Sequence, residues 1–184
     1  MGKLAYCSLC SAPLKYEVPE GDNRVRPICT VCGEVHYTNP STVAGAVAVY
    51  ENRFLLCRRD IEPRTGYWTI PAGYLELQED VAAGAIRESL EEAHAEIEIS
   101  RLLAIYSIPH ISQTQVIFLA KLLSPEVSAG EESQEVGLFL WEEIPWEELA
   151  FPTVKWALEL ARTMLQDPNT QPQHYSTADS KGRP

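Results

Sequence analysis

Between residues 73 and 95 the chain sets one arginine among four glutamates at fixed intervals: Gly73, Glu79, then Arg87-Glu88 and Glu91-Glu92. On a helix, Glu88, Glu91 and Glu92 stand at i, i+3 and i+4, so three carboxylates share a patch about 5–6 Å across. Like charges there repel, by a few tenths of a kcal/mol per exposed pair and by more where water is partly excluded. Divalent cations relieve that repulsion, and hard oxygen ligands suit Mg2+ or Mn2+. The chemistry such a cluster serves is attack of water on a pyrophosphate, where metal ions screen the phosphate charge and acidify the water. A solvated acidic helix face would explain glutamates alone, but not Gly73, Arg87 and the constant spacing.

A second ligand set occupies the first thirty-two residues. Cys7-x2-Cys10 and Cys29-x2-Cys32 are separated by 18 residues, the spacing of a four-thiolate zinc site. Gly33 after the second pair permits a tight turn aiming backbone amides at the sulfurs, and Ser11 holds the equivalent place after the first. His36 is a spare nitrogen that four thiolates make unnecessary. A segment of residues 1–38 is too short to bury a core by itself, so Zn2+ would supply the folding energy and its role would be structural. Cys57 stands alone at the end of an apolar run and reads as a small buried residue.

Charge narrows the partners. The 184 residues carry a formal net charge of −11, which repels a nucleic-acid backbone at long range. The cysteine segment balances Lys3, Lys15, Arg24 and Arg26 against Glu17, Glu20, Asp22 and Glu34, a weak footing for DNA or RNA. No apolar run approaches the roughly 20 residues of a membrane span, and Met1-Gly2-Lys3-Leu4 opens no secretory segment. The expected location is the cytoplasm.

The elements that must position these residues are legible in outline. Thr38-Asn39-Pro40-Ser41 favours a turn and reads as a linker. Val43–Tyr50 and Phe54–Cys57 form a hairpin around Glu51-Asn52-Arg53, and further strands are expected at Leu102–Ile108, Val116–Leu123 and Gly137–Trp141. Ala82, Ile86, Leu90 and Ala93 recur at helical spacing and predict an amphipathic helix over 80–94, with a second helix over Pro152–Leu165. The polar run from Ser124 to Gln134 is a surface loop able to carry function. The implied organisation is a ribbon over 1–38, a catalytic α/β (α+β) domain over 39–165, and a polar, disordered tail over 166–184.

The pattern Gly73-x5-Glu79-x7-Arg87-Glu88-Ser89-x-Glu91-Glu92 resembles the signature of the Nudix hydrolases, and the resemblance extends from about Thr42 to Leu165. It implies an α/β/α sandwich with a mixed sheet, preceded by the small zinc ribbon. By position it implies metal ligation by Glu88, Glu91, Glu92 and the carbonyl of Ala72, with Glu79 and Arg87 supporting them. Two positions depart from the family: Ser89 stands where an apolar residue is usual, and His94 replaces a glycine. Residues after a helix often adopt φ > 0, where histidine is moderately tolerated, so His94 reads as a surface cap costing about 1 kcal/mol. Many members add a glutamate from a distant loop; Glu131, Glu132 and Glu135 are candidates. Glu135 is favoured because Glu-Val-Gly-Leu-Phe resembles the family's glutamate leading into a strand, with Glu132 second.

Arg53, Arg58, Arg59 and Arg64 make a cationic island upstream of the box, and Arg58, Arg59 and Arg64 are candidates for the diphosphate. Tyr67, Trp68, Tyr74, Tyr106 and Phe118 could stack a purine or isoalloxazine ring, although core packing explains Trp68 and Phe118 equally well. Zinc ribbons precede two groups of the family, the NADH pyrophosphatases that also remove NAD caps from RNA, and the ADP-ribose/FAD pyrophosphatases. The NADH group's Ser-Gln-Pro-Trp-Pro-Phe-Pro-Gln-Ser segment is missing, whereas Leu55–Pro63 and Trp68–Tyr74 resemble the second group. The resemblance therefore implies hydrolysis of FAD or ADP-ribose, with a homodimer as the family's suggestion for assembly. A nucleotide-sensing module without turnover is the alternative from another class, and the full set of carboxylates opposes it.

Overall fold

Two short antiparallel strands, β1 (Leu14–Glu17) and β2 (Arg26–Cys29), brace the N-terminal unit in the computed structural model, which describes residues 4–177. The chain divides into two compact units, Met1–Pro40 and Ser41–Pro184. The residues at the extreme start and the last seven of the expected tail lie outside the described ones.

In the larger unit, β3 (Ser41–Tyr50) turns over Glu51-Asn52 into β4 (Arg53–Arg59), the expected hairpin, with Val49 opposite Phe54 and Tyr50 opposite Arg53. The short β5 (Trp68–Thr69) and β6 (Ala72–Tyr74) follow, then helix α1 (Val81–Ala93). A long antiparallel pair comes next, β7 (Ile97–Ile108) with β8 (Gln113–Leu122), then β9 (Ser133–Phe139) and helix α2 (Pro152–Gln166). The sheet runs β10-β7-β8-β3-β4-β5, where β10 is Gln173–Ser176; β6 adds to β3, and β9 to β4. β3 is parallel to β8 and β10 is parallel to β7, so the sheet is mixed.

Successive strand residues point to opposite faces, and the sheet accordingly feeds two apolar layers. Val47, Val49, Phe54, Leu56, Ile117 and Leu119 pack toward α2, which contributes Val154, Trp156, Leu160 and Met164. Ala44, Ala46, Ala48, Leu55, Phe118 and Ala120 pack toward α1, which contributes Ala85 and Ala93. This is an α/β/α sandwich. The row of alanines makes the second layer thin, so α1 lies close to the sheet.

That closeness shifts the expected face of α1, keeping Ala93 buried but not the larger apolar positions. Ile86 and Leu90, read as core positions, are 40% and 50% exposed. The buried face carries Gly84, Ala85, Glu88, Ser89, Glu92 and Ala93 instead. Small side chains and the two glutamates make up this face, and the Ser89 hydroxyl is satisfied within the helix by donating to the Ala85 carbonyl at 2.8 Å. Ser89 is thus an internally bonded small residue, which accounts for its departure from an apolar side chain.

The tail also differs from expectation. Beyond α2 the chain returns as β10 beside β7, and Tyr175 packs against Tyr106 and Trp156. Burial of that aromatic face orders a segment whose polar composition suggests disorder.

Candidate active site and metal centres

Two glycines and a helix cap fix the geometry of the site. Asp80 caps α1 by accepting the amides of Ala82 and Ala83 at 3.0 and 2.9 Å. β6 lies on β3 with Ala44 opposite Gly73 and Gly45 opposite Ala72. A Cβ on Gly73 would sit 2.3 Å from the Glu88 carboxylate, and one on Gly45 would sit 2.4 Å from the Ala72 Cβ. Glycine at both positions lets β6 close over the helix and lets Glu88 lie beneath the turn.

Arg87 organises the acidic side chains. Its Nε and Nη2 donate to the two Glu79 carboxylate oxygens at 2.8 and 3.0 Å, and Nη2 also reaches the Tyr74 carbonyl at 3.1 Å. Nη1 bridges Glu88 and Glu91, both at 2.7 Å. The Arg87 hydrogen bonds, with the Glu76 amide, hold the Glu79 carboxyl down to about 2. Glu88 is 8% exposed, and burial pushes its carboxyl up against the opposing pull of Arg87. Glu92 is 6% exposed; burial pushes its carboxyl up to about 8, the neighbouring charge of Glu88 adds to this, and the Ala72 amide opposes it. Oε2 of Glu92 is buried without a hydrogen-bond partner among the described residues. One arginine against four glutamates, with an orphaned buried carboxylate oxygen, leaves a negative site that fits a hard divalent cation.

Glu88, Glu91 and Glu92 line a cavity of about 1320 Å3. Glu131 and Glu132 reach it from the loop before β9, and the charge of Glu132 acts on both Glu88 and Glu92. Glu135 does not line it. It stands on β9 opposite Arg58 and pairs with that arginine at 3.6 Å, so its place in the ladder turns it toward β4. Among the three arginines expected at the diphosphate, Arg59 lines the cavity, lies over the Phe151 ring and acts electrostatically on Glu92. Arg58 donates to the Gly66 carbonyl, and Arg64 stacks on Tyr67; neither lines the cavity.

Tyr106 is corrected. It is 0% exposed and packed against Trp156 and Tyr175 in the layer beneath α2, so no substrate ring can stack on it. Trp68 and Phe118 are likewise core residues, whereas exposed Tyr74 lines the cavity. The walls that sequence reasoning missed are Gln113 and Gln115 on β8, Phe151, Thr153 and Trp156 around the start of α2, and Thr177 after β10. They come from three separated segments, and no local pattern links them to the box.

In the N-terminal unit the sulfurs of Cys7, Cys10, Cys29 and Cys32 all lie within 4.8 Å of one another, with Cys7–Cys32, Cys10–Cys29 and Cys10–Cys32 at 3.8, 3.4 and 3.6 Å. A tetrahedron with Zn–S bonds of about 2.3 Å has edges of about 3.8 Å, so the four sulfurs fit Zn2+. Amides of Val31 and Cys32 donate to the Cys29 sulfur and lower its thiol to about 6, while the Leu9 amide reaches Cys7. Gly33 and Ser11 both adopt positive φ, 76° and 59°, as the paired turns require. His36 stays outside the cluster. Cys57 is buried, and burial pushes its thiol up.

Comparison with known proteins matches residues 40–163 to the NUDIX domain and residues 5–38 to the zinc-ribbon Nudix N-terminal domain. A NUDIX hydrolase from Nitrosomonas europaea shares 43% identity and superposes with a TM-score of 0.85, covering 94% of this chain and 97% of its own. An ADP-ribose pyrophosphatase of Methanocaldococcus jannaschii is 27% identical over 62% of this chain and 69% of its own length. The NAD-capped RNA hydrolase NudC of Edwardsiella ictaluri is 23% identical over 76% of this chain, which spans 53% of that longer protein.

Proposed function

The chain belongs to the Nudix hydrolase family, enzymes of phosphoric anhydride bonds, and we propose that it is a divalent-metal-dependent diphosphatase that cleaves ADP-ribose or FAD. Water adds to one phosphorus of the diphosphate and the anhydride bond breaks, yielding AMP with ribose 5-phosphate or FMN. The observation that carries the reading is the pairing of the buried carboxylates Glu88 and Glu92 with a cavity of about 1320 Å3, room for a dinucleotide-sized ligand.

Glu88, Glu91, Glu92 and the Ala72 carbonyl would hold Mg2+ or Mn2+, which when bound neutralises phosphate charge and acidifies water. Arg87 keeps the carboxylates oriented, and Glu79 keeps Arg87 in place. Glu132 is the loop carboxylate that would complete the metal site or take the proton of the attacking water, the place expected of Glu135. Arg59, beside Glu92 in the cavity wall, would meet the phosphates, while Tyr74, Gln113 and Gln115 offer an aromatic face and amides to the rest of the nucleotide.

Resemblance to the ADP-ribose pyrophosphatase and the motif around Leu55–Pro63 favour this substrate class over NADH. The net charge of −11 and the balanced ribbon oppose RNA as substrate. A cytoplasmic homodimer remains part of the proposal. A panel of ADP-ribose, FAD, NADH and NAD-capped RNA with Mg2+ or Mn2+, followed by product chromatography, tests it. Release of AMP fastest from ADP-ribose or FAD is expected. Preference for NADH or capped RNA would reject the substrate assignment, and nucleotide binding without AMP release would replace it with a sensing module.

A further inference from the structure

The loop that brings Glu132 to the cavity is fastened to the carboxyl end of α1 by more than its covalent ends. The amide of Ser128 donates to the Ala93 carbonyl at 3.0 Å and the amide of Gly130 to the Glu92 carbonyl at 3.0 Å. These carbonyls have no acceptor duty inside the helix, since the last turn lacks following amides. The approach is close: a Cβ on Gly130 would stand 1.7 Å from the Glu91 carbonyl oxygen and 2.8 Å from its carbon. Both are backbone atoms of the metal-binding turn, so neither can swing aside. Gly130 is thus required for proximity.

His94 supplies the other half of the contact. It ends α1 with φ 47°, its amide donates to the Leu90 carbonyl and the Ala95 amide to the Ser89 carbonyl, the cap that a glycine makes in the family pattern. A glycine there would have no side chain, whereas the imidazole Nδ1 meets the Ser128 hydroxyl at 2.9 Å and lies 3.2 Å from its carbonyl oxygen. On the far side of Glu132 the loop is tied again: its carbonyl accepts the Asp60 amide at 2.8 Å, and Gln134 donates to the Asp60 carboxylate at 2.9 Å. Glu131 and Glu132 therefore sit on a short span held at both ends.

We propose that Gly130 and His94 form a latch that holds Glu132 toward the carboxylates of α1, making both of them positioning residues for hydrolysis. The inference rests on the diphosphatase reading and deepens it: the histidine that departs from the family signature has a task in the loop. Misplacing a reacting group by about 1 Å can lower turnover about 100-fold, and Gly130→Ala must displace the loop by at least that much.

A double-mutant cycle with loop exchange decides it. Glu132→Gln and Gly130→Ala are each expected to lower kcat for ADP-ribose by about 10- to 100-fold with KM within about threefold. On the Glu132→Gln background, Gly130→Ala should cost less than about twofold more, because both act through one carboxylate. Amide exchange over residues 124–132 should quicken in Gly130→Ala and in His94→Gly without substrate present. His94→Gly relieves the left-handed backbone, so its melting temperature should hold while kcat falls, a split that a merely structural role would not produce. Undiminished multiplication of the two defects, or unchanged loop exchange in both variants, overturns the latch. A wild-type protein that cleaves no dinucleotide would reject the diphosphatase reading, and the exchange measurement would still judge the latch by itself.

Discussion

Burial holds the Glu92 proton up to about pH 8 in the folded chain, whereas an unfolded glutamic acid releases it near 4.5. Between those values the folded state binds more protons, so its stability declines as pH rises. Glu88 shifts in the same direction. Glu79, held to about 2, acts in another window: its contribution is present above about 4.5 and is lost as pH falls toward 2. In chelator, the melting temperature is therefore expected to fall between pH 5 and 8, to flatten in Glu92→Gln, and to recover at pH 8 when Mg2+ is added. An unchanged profile in Glu92→Gln would assign the effect elsewhere. Tyr106→Phe gives a second test: removing a buried hydroxyl with no partner among the described residues should stabilise by about 1 kcal/mol and leave turnover intact. The box itself was legible because its spacing is local, one helix and one turn. Tyr106 was not, since period-two alternation along β7 says which residues share a face but not whether that face meets the cavity or the core.

At the scale of elements, the four close sulfurs make the ribbon's fold expected to depend on a metal. Cys29→Ser is expected to reduce bound zinc from about one per chain to a small fraction, with loss of amide protection in β1 and β2, measured by metal analysis and exchange. Retention of both would refute four-thiolate folding. The strand β10 makes a different demand. A chain stopped after Gln166 loses Tyr175 and uncovers Tyr106 and Trp156, and a fall in melting temperature of several degrees is expected. β3, β4, β7, β8 and both helices were readable in outline from apolar periodicity, but β5, β6 and β10 were not, β9 begins before its expected Gly137, and the buried face of α1 was hidden. Ile86 and Leu90 carry the hydrophobic signal, and the alanine rows of β3 leave space only for the small and acidic side chains. That Glu132 lines the cavity and Glu135 does not was likewise hidden, because it depends on where β9 joins β4.

For the molecule as a whole, the ribbon's balanced charge places the entire −11 on the remainder of the chain. Anionic substrates approach against that field, and monovalent salt should raise kcat/KM for ADP-ribose at saturating Mg2+. A fall with salt would indicate that the cationic island dominates steering. Among the described residues no helix is long and apolar enough to cross a membrane. The parallel pairing of β10 with β7 carries a consequence for biosynthesis. Thr177 forms part of the cavity wall, 85 positions after Glu92, and the ladder beneath it joins Gln173 to Ala104. Chains emerge amino end first, and long-range parallel pairing forms slowly. A nascent chain therefore presents its acidic helix before Thr177 and the β10–β7 pairing complete the cavity wall.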